Sequence, residues 1–270
     1  MKLSNGIENS IEICSFASGS SGNCYLVKSK TTALLIDSGI SAKKILDRIE
    51  ALEMKKEDIG AILITHGHDD HIKSLHTLAK KIPAFRVYTT KETFESFEKF
   101  QDEERTVIID GIEEFSIGDI KVKPFLTSHD TEGSVGFSFY KDEKQISIVT
   151  DTGCVSEEIF HEIKNADVLV IEANHEVEML KMGRYPYYLK QRILGKQGHL
   201  SNEACARCVT EIIKYHCKPR KILLAHLSKE NNTKYHAKLT MKNCLEEAGF
   251  SIGNDIYVEV LMRDERSSLY

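Results

Sequence analysis

Short apolar runs alternate along this chain with turn-rich loops and with stretches of helical period. Residues 11–16 alternate as a strand does, and 24–27 and 32–37 repeat the pattern around the loop SGSSGN, which predicts an opening β-meander. Ser41 then caps a helix to about Leu52, with Ile45, Ile49 and Leu52 on one face, and a strand follows at 59–65. Ile72, Leu75, Leu78, Ala79 and Ile82 recur at helical spacing and predict an amphipathic helix stopped by Pro83. Further strands are predicted at 85–89, 107–109, 120–124, 134–140, 145–150, 168–172 and 221–226. Helical patterns at 202–215 and 234–248 and a strand at 256–262 precede a charged tail. No linker, repeat or low-complexity segment interrupts the series, so the expectation is one α/β domain spanning 1–270, with β-rich halves covered by helices.

Composition narrows the class. Of the 270 residues, 41% are hydrophobic and 29% charged, as in a soluble globular protein. No apolar run is long enough for a membrane span, and the opening MKLSNGIENS lacks the apolar core of a signal peptide, so a cytoplasmic location is expected. Seven scattered cysteines are not a disulfide framework and are expected to be reduced. Cys205 and Cys208 form one CxxC, but they share a helical stripe with Ala204, Val209 and Ile212, which favours core packing over zinc. A net charge of -5 excludes a chain that coats nucleic acid over its whole surface and leaves room for a local basic groove.

The densest chemistry lies in ILITHGHDDH, where an apolar run stops in His66, His68, Asp70 and His71. Imidazole and carboxylate are ligands that zinc, manganese and iron accept, whereas a helix cap needs one such residue, not four. Polar residues also follow the other apolar runs directly: Asp37 after ALLI, Asp151 after ISIVT, Glu172 after VLVI and His226 after ILLA. Singly, Asp37 or Asp151 reads as a turn residue. Together with His129 they supply enough ligands for two metals, because rigid strands aim their terminal residues at a shared crevice. Two such ions activate a water for hydrolysis.

HGHDDH, preceded by Asp37 and followed by His129, Asp151 and His226, resembles the ordered motifs of the metallo-β-lactamase superfamily. The resemblance covers essentially the whole chain and implies a four-layer αβ/βα sandwich with a two-metal site at one edge. It implies that His66, His68 and His129 hold one metal, that Asp70, His71 and His226 hold the other, and that Asp151 bridges them. Asp37 would orient the ligand loop through hydrogen bonds, and Asp70 or Asp151 would take a proton from the attacking water.

Other segments bear on substrate. Ser20, Ser21 and Asn23 in SGSSGN form either a phosphate cradle or an ordinary flexible turn. In GHLSN, His199 precedes Ser201 at an apparent helix start, so the pair could bind a phosphate oxygen and protonate a leaving group, or simply cap the helix. GHLSN, IEANHE and SFASGSSGNCYLV together resemble the YycJ/WalJ group of stand-alone exonucleases within the superfamily, in which Glu172, His199 and His226 match an additional set around the metals. The segment between Asp151 and His226 is too short for the clamp domain of larger nuclease relatives, so cleavage at an end is implied. Between IEANHE and GHLSN, Lys181, Arg184, Lys190, Arg192 and Lys196 occur without an acid and beside Tyr185, Tyr187 and Tyr188; this is either a strand-binding surface or a solvated helix whose tyrosines pack inward. His175 is a further candidate, for contact with substrate or for approach to a metal.

The leading expectation is a phosphodiesterase on nucleic acid, DNA more than RNA, acting as a 5′-to-3′ exonuclease with two zinc or manganese ions, iron being a further option. The same ligand set would serve a hydrolase of small esters, thioesters, lactones or cyclic nucleotides. A third reading is a non-catalytic metal-stabilised binding module.

Overall fold

The strands of this chain pair with their neighbours in sequence order, and the alternation of their side chains sorts the apolar residues into layers. The structure is a computed structural model and describes residues 10–82, 84–253 and 255–270; the helix stop expected at Pro83 lies outside the described residues. One sheet holds β1 (Glu12–Ala17), β2 (Cys24–Lys28), β3 (Ala33–Ile36), β4 (Ile59–Leu63), β5 (Arg86–Thr89) and β6 (Thr106–Ile108) in that order. Its first three strands are antiparallel, and β3 to β6 are parallel. The other sheet holds β7 (Phe115–Ile117), β8 (Ile120–Leu126), β9 (Val135–Lys141), β10 (Lys144–Val149), β11 (Val168–Glu172), β12 (Arg220–Ala225) and β13 (Ile256–Val260), antiparallel to β10 and parallel beyond it. The helices are α1 (Ala42–Glu50), α2 (Asp69–Ile72), α3 (Leu75–Lys81), α4 (Lys91–Glu95), α5 (Glu157–Ile163), α6 (Val177–Met182), α7 (Tyr187–Leu194), α8 (Asn202–Tyr215) and α9 (Lys234–Glu247).

Alternate residues of one strand face opposite layers. Leu34 and Ile36 of β3 point into the space between the sheets, with Leu63, Phe137, Phe139, Ile148 and Val170. Leu35, between them, packs outward with Ile45 and Ile49 of α1 and Leu75 and Leu78 of α3. In the second sheet Leu169, Ile171, Ile222 and Leu224 face outward onto α5, α8 and α9 through Ile163, Val209, Ile212, Met241 and Leu245. Each such side chain contributes roughly 1.5–3 kcal/mol when taken from water. The result is the expected four-layer αβ/βα sandwich.

Some elements escaped the sequence reading because they are too short to show a period. Strand β7 has three residues, and α5, although capped by Ser156, whose Oγ accepts from Ile159 N at 3.2 Å, spans seven. The CxxC is core, as expected: Cys205 is buried against the second sheet, Cys208 packs partly buried beside it, and all seven cysteines are free. The charged tail ends in order. Tyr270 exchanges both backbone hydrogen bonds with Ile13, at 3.2 and 2.9 Å, so the tail covers the open edge of β1. Among the described residues no helix is long and apolar enough to cross a membrane.

Candidate metal centre

Parallel register brings the site residues to one edge of the sandwich. Ile36 pairs with Leu63, so Asp37 leaves β3 beside the residues that follow β4; its amide donates to Leu63 O at 2.8 Å, and its Oδ1 accepts from Thr65 N at 2.9 Å. Val149 pairs with Ile171 and Glu172 with Ala225, so Asp151, Glu172 and His226 emerge side by side. His129 comes from the turn between β8 and β9. Asp37, Asp151 and His226 all take left-handed backbone, with φ of 59°, 55° and 54°, a conformation that costs a residue with a Cβ roughly 1 kcal/mol. The α2 turn is seated from below: Asn23 N donates to Asp70 O at 2.8 Å and Ser38 N to His71 O at 2.6 Å. Gly39 permits this approach, because a Cβ there would lie 1.6 Å from Asp70 O.

Two clusters of donor atoms result. His66 Nε2 lies 3.1 Å from His68 Nδ1, which lies 3.3 Å from His129 Nε2. Nitrogens held at about 2.0–2.1 Å around one tetrahedral ion stand about 3.3 Å apart. Beside them, Asp70 Oδ2 is 3.6 Å from His71 Nε2 and 3.5 Å from His226 Nε2. Asp151 lies between the clusters: Oδ2 is 3.4 Å from His71 Nε2, and Oδ1 is 3.4 Å from His226 Nε2 and 4.0 Å from His129 Nε2. Asp151 Oδ2 and His226 Nε2 are buried without a hydrogen-bond partner. Buried polar atoms are normally satisfied, so this convergent orphan pair marks a ligand cradle, and the donor set fits divalent cations.

The outer nitrogen of nearly every imidazole is anchored. His71 Nδ1 is 2.7 Å from Asp37 Oδ2, His66 Nδ1 3.0 Å from Thr65 Oγ1, His226 Nδ1 2.9 Å from Glu172 Oε1, and His129 Nδ1 3.3 Å from Gly198 O. Such contacts fix the ring orientation and leave the facing nitrogen for a cation. Thr65 and Gly198 had no signal of their own in the sequence; adjacency to His66 and His199 is the only pointer to them. Electrostatics follows the same layout. Burial disfavours charge on His71, yet Asp37 and Asp151 hold its pKa up at about 9. Burial also works against ionisation of Asp70, but His226 and His71 overcome it and keep the carboxyl low. His66, buried with His71, His129 and His68 around it, is held well below the ordinary histidine value. A cation entering this cradle displaces protons, so its binding is coupled to pH.

The other expected residues divide. His199 is at the mouth: Nδ1 is 2.7 Å from Glu172 Oε1 and 3.7 Å from Asp151 Oδ1, and its ring centroid is 5.2 Å from that of His129 and 5.3 Å from that of His226. Glu172 is buried beneath, with Oε1 taken by His199 and His226 and Oε2 accepting from Thr152 N at 2.9 Å and Leu200 N at 3.3 Å. Both of its oxygens are thus taken up by neighbouring rings and amides. Ser20 and Ser21 are exposed and line a cleft of about 600 Å³ with Gly67, Asp69 and Asp70. Asn23, in contrast, is buried, with Oδ1 accepting from Gly19 N at 3.0 Å and Nδ2 3.1 Å from His71 Nε2, so it braces the loop where substrate contact was expected. Ser201 spends its Oγ on Ala204 N at 3.1 Å as the cap of α8. His175 is 1% exposed, with both ring nitrogens unpartnered; burial pushes its pKa down to about 4. Arg184 and Arg192 are exposed, as are Tyr187 and Tyr188 at 76% and 74%, so these two tyrosines do not pack inward. Lys190 Nζ donates to Lys181 O at 2.7 Å, and Arg192 Nε lies 2.8 Å from Asp130 Oδ2, which ties α7 to the turn that carries His129.

Residues 32–227 match the family model described as the beta-lactamase superfamily domain. The chain is 40% identical over 247 residues to a Streptococcus pneumoniae protein named exodeoxyribonuclease WalJ, covering 90% of this chain and 91% of that one. It is 38% identical over 242 residues to exodeoxyribonuclease YycJ of Bacillus anthracis, covering 88% and 90%. Among solved structures, the metallo-β-lactamase fold protein YhfI of Bacillus subtilis superposes with a TM-score of 0.72 at 17% identity, over 96% of this chain and all of that one, 100%.

Proposed function

This chain belongs to the beta-lactamase superfamily, and on that premise we propose that it is a metal-dependent exonuclease that hydrolyses nucleic-acid phosphodiesters, DNA in preference to RNA, from the 5′ end. Its similarity to two proteins named exodeoxyribonuclease, each over about nine-tenths of both chains, supports the reading. The geometric observation that carries it is His199, a partly exposed imidazole at the mouth, with its ring beside those of His129 and His226 and its Nδ1 on Glu172. Departure of an alkoxide from a phosphodiester needs a proton at that place.

In this reading His66, His68 and His129 would hold one ion and Asp70, His71 and His226 a second, with Asp151 available between the two sets; zinc and manganese suit this nitrogen and oxygen set. The chemistry that such ions supply is acidification of a water and neutralisation of charge on the phosphoryl oxygens. Asp70 or Asp151 would accept the proton that the attacking water loses. His199 gives its proton to the departing ester oxygen as the P–O bond breaks. Burial works to lower the pKa of His199, but Glu172 and Asp151 outweigh it and hold the value above the ordinary one, so the ring keeps its proton for the leaving group. Arg184, Lys190 and Arg192 attract the strand, Tyr187 and Tyr188 stack on unpaired bases, and Ser20 and Ser21 offer hydroxyls on the opposite flank. The protein acts in the cytoplasm.

The test is incubation of the purified protein with end-labelled single- and double-stranded DNA and RNA across a zinc and manganese series. Release of mononucleotides from the 5′ end is expected; no nucleotide released under any metal, or turnover confined to small esters, overturns the reading.

A further inference from the structure

One imidazole of the centre differs from the rest. His66, His71, His129 and His226 rest their outer nitrogens on Thr65, Asp37, Gly198 and Glu172, all inside the protein. His68 turns Nδ1 inward to His66 and His129, and its side chain is 39% exposed. Asp130 Oδ1 lies 3.7 Å from His68 Nε2, and 3.3 Å from His129 Nε2, the nitrogen that faces the cluster. Asp130 Oδ2 receives Arg192 Nε of α7 at 2.8 Å. The carboxylate is thus shared between the outer side of the histidine cluster and the basic, tyrosine-bearing helix.

We propose that Asp130 is the positioning residue for His68, and that its second oxygen joins the His66–His68–His129 position to Arg192, so that cation retention there depends on α7. A half-exposed carboxylate–guanidinium pair adds little to stability, too little for the pair to be explained as a strut. A carboxylate facing the outer nitrogen of a metal-binding imidazole is a different matter, since loss of such a partner typically weakens metal retention 10- to 100-fold. Asp130 follows His129 directly, so docking of that histidine fixes the backbone from which the carboxylate reaches across. Arg192 then decides where its second oxygen points, and a phosphate that draws on Arg192 acts on the same carboxylate.

The inference rests on the metal reading, and calorimetric titration of the metal-free protein with Zn²⁺ tests the two separately. Wild type is expected to bind two ions. D130A weakens one of them by about 10- to 100-fold and leaves the other unchanged. D130N, which keeps an oxygen facing His68 Nε2 but loses the charge, lies between D130A and wild type, and R192A weakens the same ion by less than D130A does. Thermal melting of the metal-free variants at the wild-type temperature shows that the fold is intact; if D130A fails this, D130N and R192A carry the test. Wild type binding no ion defeats the metal reading itself. Wild type binding two while the variants bind as wild type does, or both ions weakening together, or D130N as weak as D130A, overturns the role given to Asp130 alone.

Discussion

His71 and His226 sit in matched clamps, each with Nδ1 against a buried carboxylate, Asp37 or Glu172, and Nε2 toward the cradle. Replacing Asp37 by Ala removes the clamp without removing a ligand. The expected result is a 10- to 100-fold loss of metal affinity, read by competition with a chelating dye, and an unchanged affinity would show that the ring needs no support. His199 is placed differently, because it supports no ligand. His199→Ala is expected to lower kcat by about 10²- to 10⁴-fold with the metal content intact, a pair of readings that single-turnover kinetics and metal analysis provide. His175 is buried with neither ring nitrogen partnered and belongs to none of the donor clusters. Folded, it titrates near 4 because burial disfavours the imidazolium, while the ordinary value is 6.5. Between those values the unfolded chain takes up a proton that the folded chain refuses, so stability falls as pH is lowered, by up to about 1.4 kcal/mol per unit. His175→Leu is therefore expected to melt higher than wild type at pH 5, with a smaller gap at pH 8; parallel melting curves across that range would contradict the assignment.

At the scale of elements, α7 is the segment whose exposure has no structural explanation. Tyr187 and Tyr188 are three-quarters exposed, Met182 at the end of α6 more so, and no acid interrupts the chain from Met179 to Asn202. Tyr188→Ala is expected to weaken binding of single-stranded DNA by about 1–3 kcal/mol, and neutralising Arg184 to flatten the salt dependence by about 0.7 in slope. Fluorescence anisotropy at several salt concentrations reads both, and an unchanged slope would remove Arg184 from the strand. The same scale shows what could be read from sequence. Strands β3, β4, β10, β11 and β12 were legible with their terminal polar residues, because a buried parallel strand is a continuous apolar run and the residue after it stands out. Elements β7, α4 and α5 were not, having three to seven residues each. Asn23 and Ser201 looked like substrate groups because polar residues near glycines resemble binding loops, and His175 because it lies beside the basic, tyrosine-bearing stretch. Their hydrogen bonds and burial, which sequence does not show, commit Asn23 to its loop and Ser201 to a helix start and place His175 inside the fold.

At the scale of the molecule, both halves contribute to the core between the sheets, so the chain is expected to unfold in one transition by calorimetry. Metal should raise that transition. At a free ion concentration about 100 times Kd the stabilisation is about 2.7 kcal/mol per site, so a chelator should lower the melting temperature by roughly 5 °C or more, and restoring zinc or manganese should reverse it. A transition indifferent to chelator would speak against the cradle. The left-handed backbone at Asp37, Asp151 and His226 bears on how such a protein can be improved. Glycine adopts that conformation freely, but without metal Asp151 also faces the imidazolium of His71, so Asp151→Gly is expected to lose less in melting temperature without metal than with it. Screening for heat resistance in the presence of a chelator would then be nearly blind to the site, and thermostable variants of this chain should be sought with the metal present.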